Sequence, residues 1–236
     1  MTNESYLYSF PSMSLVVEEI DANIEIKKDN LSFIEIKTYR ISQKLEEMIH
    51  GYLEMIFKDS SRPHIIPLVY TIIKELGINA CKANQKRVFF EEKGYDITDH
   101  NDYTKGIIEY KASFSESMGL EYGPKSKQKG YFCNIRFDYS SNGFTVTVTN
   151  NTPITKQEEK SIREKLAKAM SYDDLAQFYM DNADNTEGAG LGLALIIIML
   201  KGEGIDPNYF RISINAGNTM ARLEIPLNSD FKSIRD

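Results

Sequence analysis

Three glycines at alternate positions, Gly188, Gly190 and Gly192, are followed by a run of apolar residues from 193 to 200. Glycine allows the backbone to turn tightly and to approach a ligand without a Cβ clash. The apolar run predicts a buried helix whose first turn offers free N–H groups and the positive end of its dipole to the glycine segment. A junction of this kind binds phosphate, but it is also ordinary packing before a core helix, so both interpretations stay open.

A second set of polar residues lies on a predicted helix upstream. Glu75, Asn79 and Lys82 are spaced by four and three residues, so they project from one side of that helix beside its apolar stripe. A carboxylate, an amide and an amine at the edge of a core face suit the wall of a cleft. A solvated helix face with one contact between Glu75 and Asn79 explains the same pattern equally well.

The elements that position these residues follow from the hydrophobic periodicity. Strands are predicted within 14–38 with a hairpin turn at 28–30, at 131–139, at 144–148 and in a closing hairpin at 210–227. Helices are predicted at about 41–56, 64–90, 155–170, 171–180 and, after the glycines, 193–200. The apolar stripe of the first helix is interpreted as core, with a dimer seam as the alternative.

Two capping patterns mark the short helices that precede the glycines. Thr155 with Glu158 has the spacing of a capping box, and Ser171 with Asp174 repeats that spacing. The two helices and the acidic loop at 181–187 stand between a strand and a glycine turn. This order predicts a lid over a site.

The composition is that of a soluble globular chain of 236 residues, 42% hydrophobic and 26% charged. A net charge of −6 without a basic tract argues against a binder of nucleic acid or of anionic membranes. The longest apolar run is too short to span a membrane, and the first residues lack the pattern of a secretory signal. Cys81 and Cys133 are interpreted as buried thiols in a reducing compartment, so a cytoplasmic protein is predicted.

Four separated segments occur in an order that resembles the GHKL, or Bergerat-fold, ATPases. ELGINACKA at 75–83 is similar to the N-box of that superfamily, and TNNTPI at 149–154 lies where its first glycine box belongs. GAGLGL at 188–193 matches the second glycine box, and AGNT at 216–219 is similar to the terminal hairpin. The superfamily includes sensor histidine kinases, anti-sigma-factor kinases and type II topoisomerases.

The resemblance implies an α/β (α+β) two-layer sandwich, a mixed β-sheet with helices on one face. It implies an ATP-binding domain at 61–230 with an insertion at about 91–130, a polar stretch that includes a predicted loop at 123–130. Residues 1–60 are then an N-terminal extension or a dimer element, and a homodimer stays open.

The resemblance also implies roles for single residues. Glu75 would be the general base or the group that aligns the nucleophile, and Asn79 would hold Mg²⁺ through its side-chain oxygen, which suits a hard cation. Lys82 would approach the phosphates of ATP, and Thr219 would lie near the adenine. The glycine segment would cradle the triphosphate with its backbone N–H groups: Gly188, Gly190, Leu191 and Gly192.

One residue departs from the superfamily pattern. The first glycine box carries an Asp that accepts from the adenine amino group, whereas this chain has Asn150 there and no glycines after it. An amide still accepts that hydrogen bond but lacks the charge assistance of a carboxylate, typically worth about 1 kcal/mol. Because an amide can turn over and donate instead, we expect a weaker preference for ATP over GTP, which Asn150→Asp would sharpen.

These features predict a kinase-type ATP-binding module that transfers the γ-phosphate of ATP to a separate protein partner, such as a response regulator or a sigma-factor regulator. His50 has no acid among its immediate neighbours, so it is interpreted as a surface or packed residue rather than a phosphoacceptor. A non-catalytic regulator that binds a partner protein through the same fold is the alternative, favoured by Asn150 and by the insertion at 91–130.

Overall fold

The computed structural model describes residues 20–26, 32–113, 118–181 and 191–234. Six strands of the described chain form one sheet: β1 (Ile20–Ile26), β2 (Ser32–Thr38), β3 (Cys133–Tyr139), β4 (Gly143–Asn150), β5 (Phe210–Asn215) and β6 (Asn218–Pro226). Their order across the sheet is β1-β2-β3-β4-β6-β5. The hairpin turn predicted at 28–30 lies outside the described residues.

The prediction of a mixed sheet is wrong, because all five pairings among the described strands are antiparallel. Helices connect β4 to β5, and this crossover makes β5 run parallel to β4. However, β6 folds back from β5 and lies between them, with Ala216 and Gly217 in left-handed conformations at the turn. The two parallel strands therefore share no hydrogen bonds.

Seven helices of the described chain accompany the sheet: α1 (Gln43–Phe57), α2 (Ile66–Lys93), α3 (His100–Ala112), α4 (Met118–Gln128), α5 (Lys156–Ala169), α6 (Leu175–Asp181) and α7 (Leu191–Gly202). The predicted combination of helices with a β-sheet is confirmed. Among these helices, none combines the length and the apolar character that a membrane crossing requires.

The central strands β2, β3 and β4 largely alternate between a buried and a half-exposed face. On β4, Phe144, Val146 and Val148 are buried, and the threonines between them are half-buried. The buried side chains join one core with residues of α1, α2 and α7. Helices therefore pack against this face of the sheet. Cys81 and Cys133 are buried free thiols, as predicted.

The apolar stripe of α1 belongs to this core. Leu45, Ile49, Leu53 and Phe57 are buried at helical spacing in the same cluster as the strand side chains. The interpretation of the stripe as core is confirmed, and the alternative of a dimer seam along it is wrong.

The long helix α2 connects two hydrophobic clusters. It follows a short turn at Pro63–Ile65 and ends at Gly94, whose φ of 70° suits glycine at a helix C-terminus. Its first half packs in the main core, and its second half packs against α3 and α4. The second cluster is mostly aromatic: Val88, Phe89, Phe90, Tyr110, Met118 and Tyr122. The stretch at 91–130 thus contains helices with a small core of their own.

The prediction of a loop at 123–130 is wrong, because α4 continues through Pro124 to Gln128. A proline inside a helix removes a hydrogen bond and usually breaks the helix. Here Met118 and Tyr122, one turn apart, are buried in the aromatic cluster. Their packing outweighs the local signal of the proline.

The start of α5 follows the predicted capping box, in which Thr155 and Glu158 each accept from the backbone N–H of the other. The second predicted box is wrong. Asp174 caps α6 by accepting from the backbone N–H of Gln177 at 2.8 Å, whereas Ser171 donates to a carbonyl at the end of α5.

Candidate functional site

An open pocket lies between α2, α5, α7 and the strands β4, β5 and β6, with about 540 Å³ of empty space that includes open solvent. Most of its lining is apolar: Leu76, Ala80, Ala83, Val148, Ile154, Ile162, Leu193, Ile212 and Ala221. Its polar lining residues are Asn79, Arg87, Asn150, Thr152 and Thr219. An apolar cleft with a few converging polar groups is the usual form of a small-molecule site.

A group of polar side chains beside the pocket is called the floor: the buried Asn84, Asn150 and Thr152 and the half-buried Thr219. Asn150 ends β4, and its amide nitrogen donates to the carbonyl oxygen of Ala80 at 2.8 Å and to Oδ1 of Asn84 at 3.2 Å. Asn150 is 6% exposed and Asn84 is 2% exposed. Since two acceptors on α2 hold the nitrogen, the amide oxygen is the end of this side chain that can meet a ligand in the pocket. Among the described residues, no donor reaches that oxygen.

The two threonines connect the floor across the sheet. Oγ1 of Thr152 donates to Oδ1 of Asn84 at 3.1 Å, so this one buried oxygen accepts from Thr152 and from Asn150. Oγ1 of Thr219 donates to the carbonyl oxygen of Thr152 at 2.8 Å, and Thr219 pairs with Asn150 in the sheet register. The structure therefore brings the predicted residues Asn150 and Thr219 together beside one pocket.

This network contradicts the expectation that the amide of Asn150 can turn over. The carbonyl oxygen of Ala80 can only accept, so the atom 2.8 Å from it must be the nitrogen. If the amide turned over, Oδ1 of Asn150 would face the carbonyl oxygen of Ala80 in a buried position, and neither atom could donate a hydrogen. The predicted weaker preference for ATP over GTP depended on an amide that can turn over, so the structure removes the reason for that prediction.

We call Glu75 and Asn79, one turn apart on α2, the mouth of the pocket. Nδ2 of Asn79 donates to Oε1 of Glu75 at 2.8 Å, which confirms that the two side chains share one side of the helix. Asn79 is exposed and lines the pocket, so its amide oxygen is available to a ligand there.

The carboxylate of Glu75 also lies against Gly192, in the first turn of α7. A Cβ built on Gly192 would overlap Oε1 of Glu75. In this structure a protein carboxylate occupies the space beside Gly192, whereas the sequence interpretation assigned its small size to the approach of a phosphate. The contact connects the mouth to the start of α7.

The other predicted site residues have different outcomes. Lys82 is exposed on α2 and is not among the residues that line the pocket. α7 begins at Leu191, immediately before Gly192. Gly188 and Gly190 lie outside the described residues, as do residues 182–187 of the predicted lid. The phosphate cradle and the lid stay predictions.

A buried ion network holds the start of α5 against α2. Glu158 forms ion pairs with Lys86 and, at 3.5 Å, with Arg87. Arg87 also donates to the carbonyl oxygens of Ala83 and Pro153. Burial raises the pKa of Glu158, but Lys86 and Arg87 together lower it further, to below its ordinary value. At Lys86 burial outweighs the attraction of Glu158, so the pKa of that ammonium is lowered.

Sequence interpretation missed Asn84 and Arg87. Both lie on the buried side of α2, four and seven residues after Ala80. A polar residue on the apolar stripe of a helix was the available signal, because a buried polar group requires a partner. The periodicity alone did not indicate which partners they have.

His50 lies on the surface of α1, as predicted, with 49% of its side chain exposed. The premise that it lacks a neighbouring acid is wrong, since Oε1 of Glu54, one turn later, lies 3.5 Å from its Nδ1. Its ring also packs edge-on against Tyr70 of α2.

Comparison with known proteins gives one relevant similarity. The chain is similar to an uncharacterised protein of Treponema pallidum (strain Nichols), with 31% identity over 231 residues. The match covers 96% of this chain and 44% of the relative, so the chain spans less than half the length of that protein. No protein-family model matches the chain, and no solved structure matches it.

Proposed function

We propose that the chain is a Bergerat-type ATP-binding module that transfers the γ-phosphate of ATP to a separate protein, such as a response regulator or a sigma-factor regulator. The base would enter the apolar pocket, and the phosphates would extend past the mouth toward the start of α7. The order of the four sequence segments supports this proposal, as does the fact that each of them contributes at least one residue to the lining of one pocket.

The proposal depends most on the surroundings of the amide oxygen of Asn150. This oxygen belongs to a side chain that is 6% exposed, lines an apolar pocket, and has no donor among the described residues. Among the described residues, the buried polar atoms without a partner do not include this oxygen, so it reaches solvent in the pocket, where a ligand or water can donate to it. A flat aromatic base that carries an amino group, such as adenine, would supply that donor and stack against the apolar walls.

The mouth fits a hard cation held jointly by the protein and by phosphates. Among the described residues, no group of three or more His, Cys, Asp or Glu side chains converges to form a metal site. Mg²⁺ commonly takes only one or two protein ligands and completes its shell with phosphates and water. Asn79 would supply a side-chain oxygen to Mg²⁺, which neutralises phosphate charge when bound. Glu75, which Asn79 holds at 2.8 Å, would align or deprotonate the nucleophile.

Calorimetric titration of the full chain with ATP, with and without Mg²⁺, tests the binding. We expect saturable binding that Asn79→Ala weakens only when Mg²⁺ is present. Gly190→Val should abolish binding by placing a branched side chain in the predicted phosphate cradle. Unchanged ATP affinity in a folded Gly190→Val variant would remove the cradle from the proposal, and an absence of any ATP binding by the wild type contradicts the proposal itself.

Single-turnover transfer of labelled γ-phosphate tests the chemistry. Glu75→Gln keeps the size of the side chain and removes its charge, so we expect ATP affinity to be retained and turnover to fall by at least about 100-fold. Equal turnover in both proteins would show that Glu75 is not the base.

A non-catalytic regulator is the second candidate, and the helices of the 91–130 stretch favour it. They form a separate aromatic cluster with α2 and leave Ile108 and Leu120 mostly exposed. A protein that binds ATP with neither hydrolysis nor transfer to any candidate partner would establish this alternative.

A further inference from the structure

We infer that Asn84 is a positioning residue for nucleotide selectivity: it helps to lock the amide of Asn150 so that a neutral oxygen, rather than the carboxylate of the related ATPases, selects a base with an amino group. This inference rests on the proposed nucleotide site. It concerns how the pocket distinguishes ATP from GTP, and it reverses the expectation drawn from the amide alone.

The orientation of the Asn150 amide follows from its partners on α2. The carbonyl oxygen of Ala80, 2.8 Å away, cannot donate, so it holds the nitrogen side of the amide. Oδ1 of Asn84 accepts from that same nitrogen at 3.2 Å. Asn84 is in turn held by Oγ1 of Thr152, which donates to Oδ1 at 3.1 Å.

Burial makes this orientation rigid. Asn84, Asn150 and Thr152 are each at least nine-tenths buried, so water cannot replace the protein partners at low cost. Turning the Asn150 amide would break both bonds of its nitrogen and bring its oxygen against Ala80. The pocket therefore presents an acceptor and no donor at this point of the floor.

This acceptor distinguishes the two purines by their group at the six position. The amino group of adenine donates to the oxygen, whereas the carbonyl of guanine would face it as a second acceptor with no hydrogen between them. A site built to bond a donor discriminates strongly against an analogue that lacks it, because its buried group is left unpaired. We expect GTP to bind at least about 100-fold more weakly than ATP.

The same network opposes Asn150→Asp, the substitution that the resemblance to the Bergerat-fold ATPases suggests. In Asn150→Asp, both terminal atoms are oxygens, so one of them must face the carbonyl oxygen of Ala80. We expect this variant to melt at a lower temperature than the wild type rather than to gain selectivity.

Dissociation constants of the full chain for ATP, GTP and purine riboside triphosphate, which lacks the amino group, test the inference in the presence of Mg²⁺. ATP should bind most tightly, purine riboside triphosphate at least about tenfold more weakly, and GTP most weakly. GTP affinity within about threefold of ATP affinity would overturn the inference while leaving the nucleotide site intact. Binding of none of the three nucleotides would overturn the proposed function and the inference with it.

Variants of Asn84 test its positioning role through the ratio of the ATP and GTP constants, which a general loss of stability does not change. Asn84→Leu removes one of the two acceptors of the Asn150 nitrogen, and the ratio should fall by at least about fivefold. Asn84→Asp keeps an acceptor for Asn150 and Thr152, so it should keep the ratio. An unchanged ratio in Asn84→Leu would refute the role of Asn84; if that variant does not fold, a loss of the ratio in folded Asn84→Asp refutes it.

Discussion

The floor and the mouth of the pocket differ in how their polar side chains are held. At the floor, Asn84, Asn150 and Thr152 are buried and bonded to one another and to the α2 backbone. At the mouth, Glu75 and Asn79 share one hydrogen bond, and Asn79 is exposed. A floor held by protein bonds can select the shape and donors of a ligand, whereas an exposed mouth would be completed by the metal and phosphates of the proposed nucleotide.

The largest loss of stability is expected at the ion network of Glu158, which holds α5 against α2 beside the pocket. Glu158→Gln leaves Lys86 and Arg87 buried without their counterion, so the free energy of unfolding should fall by about 3 kcal/mol. Denaturant unfolding at pH 7 measures this loss. Glu164→Gln, on the exposed side of the same helix, is the control and should change stability by less than about 0.5 kcal/mol. Equal losses in the two variants would show that the network does not anchor α5.

The pH dependence of that loss has a defined sign. The pKa of Glu158 is lowered in the folded chain, so its carboxylate stabilises the fold above its ordinary pKa of 4.5. This stabilisation is lost as the pH falls through the lower folded pKa. The difference in unfolding free energy between wild type and Glu158→Gln should therefore be largest near neutral pH and shrink as the pH falls below 4.5. A difference that grows on acidification contradicts the assignment.

The next change in stability is expected where the mouth contacts α7. In Gly192→Ala the new Cβ must push aside the flexible Glu75 side chain and disturb its hydrogen bond to Asn79, so this variant should be about 1 kcal/mol less stable than the matched Gly202→Ala. Gly202→Ala, on the same helix with nothing within 4 Å of its Cβ, should be neutral or stabilising. Adding Glu75→Ala to Gly192→Ala should remove the cost, which a double-mutant cycle of unfolding free energies measures. A cost that persists without the Glu75 carboxylate would place the clash elsewhere.

A further loss of stability is expected at the floor, where Thr152 donates a buried hydrogen bond. Thr152→Val keeps the shape of the side chain and removes its donation to Asn84, so stability should fall by about 1 kcal/mol. Thr145→Val, on the half-exposed face of β4, should have almost no effect or a slight stabilising one. If both valine variants unfold at the same denaturant concentration, the floor bond contributes nothing measurable.

The smallest effect on stability is expected at the mouth. Asn79→Ala removes one exposed hydrogen bond, so the unfolding free energy should change by less than about 0.5 kcal/mol. Its affinity for ATP with Mg²⁺ should nevertheless fall by about tenfold. A large loss of stability, or no loss of Mg²⁺-dependent affinity, would remove the distinction between a structural floor and a ligand-completed mouth.

Local patterns predict the parts of the site that lie within single elements. The four-residue spacing of Glu75 and Asn79 places them on one side of α2, because the helical period is a local property. The same reasoning identified α7 after the glycines and the hairpin before Thr219. It failed at Pro124, where the burial of Tyr122 stabilises a helix. The approach of Lys82 to phosphates stays a prediction.

The sequence alone predicted the order of helices and strands outside the 91–130 stretch, the buried stripes of α1 and α2, and the polar pair at the mouth. Only the tertiary structure decided that Asn150 presents its oxygen to the pocket, because Ala80 and Asn84 are about 70 residues away in the chain and 2.8–3.2 Å away in space. The position of β6 between β4 and β5 also depends on tertiary packing, as does the contact between Glu75 and Gly192. Periodicity reports which face of an element is buried, whereas the partner of a buried polar atom depends on which elements pack together.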